Sequence, residues 1–389
     1  MDRWDRRPLE IVAAVALDGL LGDPENRFHP VAWFGRAASM LESAAYADSV
    51  ARGGVVWAAL VLPVAAVGAA GEGSVAAAAI GLWSTLGGRS LRTEAERIAL
   101  LLEAGDLVAA RAALRNLAGR DASELGGAEI ARAVIESVAE NSADAVIGPL
   151  VWHLLLGLKG SLAFRAVNTL DAMFGHRDAT YRNFGRVSAR ADDLMVYLPA
   201  RVGAALGIPA ALWRTGLRAS VEVWRRSRGH PSPNAGRMEA LFAAVCRTNL
   251  GGANRYRGSL VKLPELSGGR SPSPQGIRCA VALSRQLELA LAGIALAIWV
   301  RGRLAGSWGG WPGAARDDQV DRGAQRRGRS SARAGGDDLP ARDGGARLGC
   351  GRSHGKSGRG YRAVSGGLGV ANDVGNGGVV PGGDDEVDR

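Results

Sequence analysis

The sequence predicts an all-α fold: a polytopic α-helical membrane protein with cytoplasmic helical loops and a disordered C-terminal tail. Three observations carry that prediction. Apolar Ala/Val/Leu runs approach bilayer-spanning length and alternate with Arg-rich polar segments. No stretch alternates apolar and polar residues with the period of two that marks a strand. After about Arg301 the chain becomes rich in Gly, Arg, Asp and Ser and loses all periodicity. The 389 residues therefore divide into a membrane domain, 1–301, and a low-complexity tail, 302–389.

The elements follow in order. Arg3, Arg6 and Arg7 precede a short apolar stretch, 9–22, in the manner of a signal peptide, but Asp18 interrupts it. An uncleaved first membrane segment is the expectation. Residues 54–71 come close to spanning length, whereas 74–88 are apolar but short and Gly-rich. Thr93 followed by Glu96 has the pattern of a capping box, and Gly105-Asp106 would break the following run into a helical hairpin. A further helix is expected over "DASELGGAEIARAVIESVAEN". Apolar stretches recur at 145–158, 194–213 and 279–300, the last carrying Arg285 and Glu288 in its first half. Several of the ten Trp residues stand beside these runs, where a membrane interface would place them. The tail cannot bury enough apolar surface to offset its ordering entropy. Its composition fits a dispensable linker, an RNA-binding Gly/Arg tail or a shifted reading frame in a GC-rich gene. The scarcity of aromatics, with Tyr361 alone late on, favours the linker.

The formal net charge of +10 points to anionic lipid headgroups or phosphorylated substrates. No basic helix with interleaved aromatics appears, so nucleic acid is not expected as a partner. Cys246, Cys279 and Cys350 are far apart and contain no CxxC, which suggests neither a zinc site nor a disulfide framework. The five histidines lack metal-ligand spacing.

Four polar blocks stand out. In "VIESVAENSADAVIGPLVWHLLLG", Glu136, Glu140 and Asp144 are spaced four apart and would share one helical face, with Asn141 adjacent. Like charges at that spacing are unfavourable, and these run straight into an apolar segment where no counter-charge is evident. Mg²⁺ shared with substrate phosphates would relieve them. In "RAVNTLDAMFGHRDATYRNFGRVSARADDLMVYLPAR", Arg165, Asn168 and Asp171 lie roughly on one face, and Arg190, Asp192 and Asp193 precede the next apolar run. "GHPSPNAGRMEALFAAVCRTNLGGANRYRG" combines a stiff turn at Asn234, a helix bearing Glu239, and Gly251-Gly252 placed to end that helix before Arg255. Near the N-terminus, Asp23-Pro24 and His29-Pro30 follow the first apolar segment. No Walker A motif occurs.

In order, these blocks resemble the CobD/CbiB family of cobalamin biosynthesis over roughly residues 9–300. The resemblance rests on Gly22-Asp23-Pro24 with His29-Pro30-Val31, Glu136 to Asn141 with Asp144 and Pro149, and Val167 to Asp171. It continues through Tyr181, Phe184-Gly185, Ser188 to Arg190, Asp192-Asp193, Pro199 to Arg201, Ser232 to Gly236 with Glu239, and Leu250 to Gly252 with Tyr256 and Gly258. Val196 stands where that pattern leads one to expect Asn, and His176 where it leads one to expect Tyr.

The resemblance implies an adenosylcobinamide-phosphate synthase of the cell membrane, multi-pass. Such an enzyme joins (R)-1-aminopropan-2-ol O-phosphate, or the free amino alcohol, to a propionate carboxylate of adenosylcobyric acid as an amide, coupled to ATP. A carboxylate is a poor electrophile and needs activation, most simply as an acyl phosphate, and phosphoryl transfer depends on positioning and charge neutralisation. On this reading Glu140, Asp144, Asp171, Asp192 and Asp193 are the catalytic candidates, Glu136, Glu140 and Asp144 the Mg²⁺ ligands, and Asn168, Arg190, Asn234 and Arg255 the substrate- and phosphate-binding residues. ATP and Mg²⁺ are the implied cofactors. The implied partners are the corrinoid, the aminopropanol or its phosphate, the lipid bilayer and other cobalamin-assembly enzymes. The alternatives are an intramembrane Mg-dependent prenyltransferase, whose NxxxD or DxxxD motifs differ from the NxxD spacing of Asn168 and Asp171, and a non-enzymatic corrinoid transporter or scaffold. Truncation after Arg303 should leave membrane insertion and corrinoid turnover intact. An inserted truncation that has lost turnover would assign the tail a role.

Overall fold

The computed structural model describes residues 3–24, 27–119, 121–176, 178–256, 259–266 and 269–306, leaving aside the side chains of 3–5, 254–261, 305 and 306. The expected disorder of the tail lies, from residue 307 on, outside the described residues. Thirteen helices and one hairpin follow in order among the described residues: α1 (Arg3–Leu21), α2 (Pro30–Ala45), α3 (Val50–Gly71), α4 (Val75–Trp83), α5 (Gly88–Glu103), α6 (Leu107–Leu114), α7 (Gly127–Ser142), α8 (Gly148–Leu156), α9 (Leu158–Phe174), α10 (Tyr181–Phe184), α11 (Arg186–Arg226), α12 (Ala235–Cys246), β1 (Leu250–Tyr256), β2 (Ser259–Leu266) and α13 (Pro274–Gly306). The fold is helical, as expected.

Local chemistry sets many of the helix starts. His29 Nδ1 accepts from the Val31 N–H (3.2 Å) and Pro30 opens α2. Ser74 caps α4, and Asp106 caps α6 by accepting from Ala109 N–H (2.9 Å). Glu129 reaches back to the Gly126 N–H (2.9 Å) at the start of α7. The expected capping box at Thr93 is not used: α5 begins earlier, at Gly88, and Thr93 lies inside it. The helical hairpin broken at Gly105-Asp106 is present as α5 and α6.

Among the described residues, three helices are long and apolar enough to cross a membrane: α3, α11 with the turn that follows it (Arg186–Gly229), and α13 over Pro274–Leu304. Two other apolar stretches form no helix of that length. Residues 145–158 fold as the end of a π-helical turn, Ala143–Ile147, followed by the nine-residue α8. Every residue from Asn141 to Val151 is buried within the protein. Residues 74–88 likewise yield only the short α4. The first segment, α1, carries buried Arg7, Glu10 and Asp18.

α7 and α8 form the centre, with α5, α12 and α13 packed against α7 and α1, α9 and α11 against α8. Their core includes Ile130, Val134, Ile135, Val138, Ile147, Leu150, Phe164 and Phe242. A second cluster joins α2, α3, α9 and α10 through Ala38, Val56, Val61, Val167, Leu170, Phe174 and Phe184. Buried ion pairs and hydrogen bonds tie the elements together. Arg92 of α5 lies between Asp18 of α1 (3.5 Å) and Glu288 of α13 (3.0 Å), which accounts for an acid inside an apolar helix. His153 Nε2 of α8 meets Glu10 Oε2 of α1 at 2.8 Å.

Two features depart from expectation. An antiparallel hairpin, β1–β2, pairs Leu250 with Leu266 and Tyr256 with Ser259. It lacks an alternating pattern because Gly251, Gly252, Pro264 and several polar residues occupy it. Cys246 and Cys279, 33 residues apart, form a disulfide joining the end of α12 to α13, with Cα atoms 5.6 Å apart. Spacing alone could not reveal that pairing, because the packing of α12 on α13 creates it.

The seam between α3 and α10 is tight. A Cβ on Gly53 would collide with the Phe184 carbonyl oxygen. Gly53→Ala should therefore lower the thermal midpoint of the detergent-solubilised protein, at a cost of about 1–3 kcal/mol for overpacking. Gly73→Ala meets nothing within 4 Å and should leave the midpoint unchanged. Equal midpoints for the two variants would show that α3 moves away from α10 without penalty.

Candidate functional site

The site is built outward from α7. Its acidic ladder is not the regular face that the four-residue spacing implies. Glu136 and Glu140 lie in α7, but Asp144 falls in the π-helical turn, where the wider winding rotates it relative to its predecessors. Each end of the ladder finds its own compensation. Glu136 Oε1 accepts from the Gly251 N–H at 2.8 Å. Asp144 acts electrostatically on Arg165 of α9, a counter-charge invisible in the local sequence. Glu140 is half-buried, whereas Glu136 and Asp144 are buried. Among the described residues, no three His, Cys, Asp or Glu side chains form a group able to hold a metal ion by themselves.

α9 and α11 contribute the second part. Asn168 Nδ2 of α9 donates to Asp192 Oδ1 of α11 at 3.1 Å, and both residues are buried, as is Asp171. Asp193 is half-buried, and its backbone carbonyl accepts from Asn234 Nδ2 at 2.9 Å. Asn234 in turn accepts, through Oδ1, from Arg201 Nη1 of α11 at 2.8 Å. The side chain of Asn234 is therefore a bridge between α11 and the start of α12.

The turn before α12 supplies a histidine that the sequence reading left without a role. His230 Nδ1 lies 2.9 Å from the Ser232 carbonyl and 3.1 Å from the Ser232 N–H, and Nε2 lies 3.5 Å from Glu239 Oε2. Burial holds His230 below the ordinary histidine range, against the raising influence of the Ser232 hydrogen bond and the Glu136 charge. Its histidine–proline–serine–proline context was legible, but its partner nine residues on was not.

Gly251 and Gly252 do not end α12, which stops at Arg247 in a left-handed conformation (φ 51°). They are part of β1, with φ of 79° and 83°. A Cβ on Gly251 would meet the Pro264 carbonyl oxygen, so this residue must be glycine if its N–H is to reach Glu136. Arg132 of α7 fixes the same strand by donating to the Gly251 and Ala253 carbonyls at 2.7 and 2.8 Å.

The N-terminal block adds a separate corner. Burial keeps His29 below its ordinary range, with Asp23 opposing and Arg165 reinforcing that effect. Beside it, Pro30, Val31 and Phe34 of α2, Val64 of α3 and Arg165 and Thr169 of α9 line a largely apolar cavity of about 280 Å³.

Of the residues singled out from the sequence, Asn168 and Asp192 meet directly, as do Asn234 and the backbone of Asp193, and Glu136 is anchored to β1. Asp171 is buried one turn along α9 from Asn168. Arg190 is exposed and enters none of these hydrogen bonds. The side chain of Arg255 lies outside those described. Asn168→Asp would set a second carboxylate 3.1 Å from Asp192 in a buried place and should lower the thermal midpoint measurably. Asn168→Leu, which keeps the bulk and removes one donor, should cost about 1–3 kcal/mol. An unchanged midpoint for both would show that the Asn168–Asp192 contact contributes nothing to holding α9 on α11.

These blocks are those of known proteins. The family described as "CobD/Cbib protein" matches residues 11–284. The cobalamin biosynthesis protein CobD of Mycobacterium tuberculosis (strain ATCC 25618 / H37Rv) is 43% identical over 308 residues, covering 77% of this chain and 98% of that protein. The cobalamin biosynthesis protein CbiB of Salmonella typhimurium is 40% identical over 271 residues, covering 64% of this chain and 84% of that protein. No solved structure matches. The chain belongs to the CobD/CbiB family, and its role lies in cobalamin biosynthesis.

Proposed function

We propose that this chain is an adenosylcobinamide-phosphate synthase, a multi-pass enzyme of the cell membrane. It joins (R)-1-aminopropan-2-ol O-phosphate, or the free amino alcohol, to the remaining propionate carboxylate of adenosylcobyric acid, and amide formation is coupled to ATP. The observation that carries the reading is the buried polar network assembled from distant motifs: Asn168 with Asp192, Asn234 with Asp193, and Glu136 with Gly251. So many buried polar groups are expensive to maintain for structure alone.

The donor chemistry suits the implied cofactors. Carboxylate and amide oxygens are hard ligands of the kind that hold Mg²⁺, which is commonly bound by one or two carboxylates together with substrate phosphates. One or two of the buried carboxylates Asp144, Asp171 and Asp192 would hold it together with the substrate phosphates. When bound, ATP and Mg²⁺ would supply the phosphoryl group and charge neutralisation that make the propionate electrophilic. The chain's own residues orient and exclude water. Asn168 fixes the Asp192 carboxylate, and Asn234 ties the start of α12 to α11. The attacking amine must also lose a proton, for which Glu140 and Asp193, both half-buried, and the buried His230 beside Glu239 are the candidate acceptors.

Glu140→Gln and Asp144→Asn each remove one charge and nearly preserve size. Both should reduce ATP-dependent conversion of adenosylcobyric acid in membranes by a factor of about 10² or more, roughly 2.7 kcal/mol at the transition state, with insertion unchanged. The assay follows the amide product while Mg²⁺ is titrated. Wild-type rates for both variants would sink the catalytic role of these carboxylates, and wild-type membranes inactive with both amine substrates would sink the reaction.

A further inference from the structure

Three arginines lie near the start of α12: Arg201 of the first half of α11, which reaches Asn234 at the N-terminus of α12, Arg228 of the 3-10 turn Ser227–Gly229, and Arg237 of α12 itself. α11 makes this possible by breaking at Gly216, whose φ of 74° and ψ of 170° are not helical. Neutral groups fix two of the three. Arg201 Nη1 donates to Asn234 Oδ1 (2.8 Å) and to the Tyr197 carbonyl (2.9 Å), and its guanidinium carbon lies 3.3 Å from the Tyr197 ring centre. Arg237 Nη1 donates to Ser227 Oγ (3.1 Å) and the Trp224 carbonyl (3.3 Å), with its guanidinium carbon 4.6 Å from the Trp224 ring centre.

None of these partners is a carboxylate, and among the described residues no acid forms an ion pair with Arg201, Arg228 or Arg237. The neighbouring Arg225 and Arg226 differ: both are held by Glu222, at 3.1 and 2.9 Å. Arg201 and Arg228 lie close enough to Arg237 for their charges to act on it. Burial lowers Arg237 from its ordinary value, and the charges of Arg201 and Arg228 lower it further. Like charges held close by neutral partners, with planar forks that suit phosphate oxygens, are complete only when an anion joins them. The cluster is also wired to the candidate site, since the Asn234 side chain that receives Arg201 donates to the Asp193 carbonyl.

We propose that Arg201, Arg228 and Arg237 bind a phosphate group carried by a substrate. That the phosphate belongs to a substrate rests on the function proposed above, whereas the affinity of the cluster for phosphate does not. The site lies beside the membrane-length helix α11, so a phospholipid headgroup offers the same chemistry, and the test separates the two sources.

The full chain is placed in phosphatidylcholine nanodiscs and titrated with ATP and with inorganic pyrophosphate, then with aminopropanol phosphate. Arg201→Gln and Arg228→Gln should each weaken binding of at least one of these ligands about tenfold or more. Arg201→Lys, which keeps the charge without the fork, should fall between. Arg225→Gln, which removes an arginine already paired with Glu222, should bind as wild type. Thermal midpoints report folding, and Arg228 is exposed, so its variant tests binding even if Arg201→Gln misfolds. Nanodiscs doped with phosphatidylglycerol form the second arm. If Arg228→Gln loses retained phosphatidylglycerol while soluble phosphate binding is unchanged, the cluster binds a headgroup and the substrate assignment is overturned. Unchanged binding in both arms, or an equal loss in Arg225→Gln, overturns the site itself. Arginine-dependent phosphate binding without amide synthesis would retain the site and remove the reaction.

Discussion

A polar group buried without a partner costs about 1–3 kcal/mol, and the central helical segment of this protein buries many. From Asn141 to Val151 every residue is enclosed, and most of α7 before it is too. Four polar side chains on and beside that segment are each met by a different neighbour. Glu136 takes the Gly251 N–H of β1 at 2.8 Å. Ser137 donates to the Leu117 carbonyl beyond α6 at 2.7 Å. Ser142 reaches Ser284 of α13 at 2.9 Å, and His153 reaches Glu10 of α1 at 2.8 Å. Satisfying one buried segment therefore positions four separate parts of the chain around it.

This requirement explains why the motif blocks, far apart in sequence, converge. The apolar residues of α7 and α8 can pack against many alternatives of similar size, because hydrophobic burial is not directional. The hydrogen bonds cannot, since each specifies a donor, an acceptor and an angle. The buried Asp18–Arg92–Glu288 arrangement does the same for α1, α5 and α13. Such pairs add little net stability over apolar packing, but losing one partner leaves an expensive charge behind. They select which helices become neighbours more than they determine how tightly those helices are held.

What could be read from the sequence follows the range of the interactions. The helices at 54–71, 194–213 and 279–300 were legible because length and apolarity are local properties. The stretch 145–158 has the same apolarity, yet it lies in the protein interior, because a buried core helix and a lipid-facing one use the same residues. Glu136, Glu140 and Asp144 were legible as a ladder only under regular winding, and the π-helical turn at Ala143–Ile147 alters the last step. The Cys246–Cys279 link, the Arg165 counter-charge and the His230–Glu239 contact depend on chain segments meeting in space. The hairpin was hidden because Gly251 serves the close approach of backbone to Glu136 and to the Pro264 carbonyl instead of an alternating surface. Asn168 and Asp192 were both singled out, but their direct contact across 24 residues needed the packing of α9 on α11.

The identity of residue 234 shows how the two electrostatic ends of the site can coexist. Its side chain must donate to the Asp193 carbonyl and accept from Arg201 at the same time. Among side chains of that size only an amide offers a donor and an acceptor on one rigid plane. An aspartate there would lose the donated bond and pair with Arg201, cancelling part of the positive charge gathered with Arg228 and Arg237. A hydrophobic residue would leave Arg201 without that acceptor and α12 without that tie to α11. Asparagine connects the backbone of α11 at Asp193 to the Arg201 guanidinium while carrying no charge of its own, so the bridge neither adds to nor cancels the charges on either side of it.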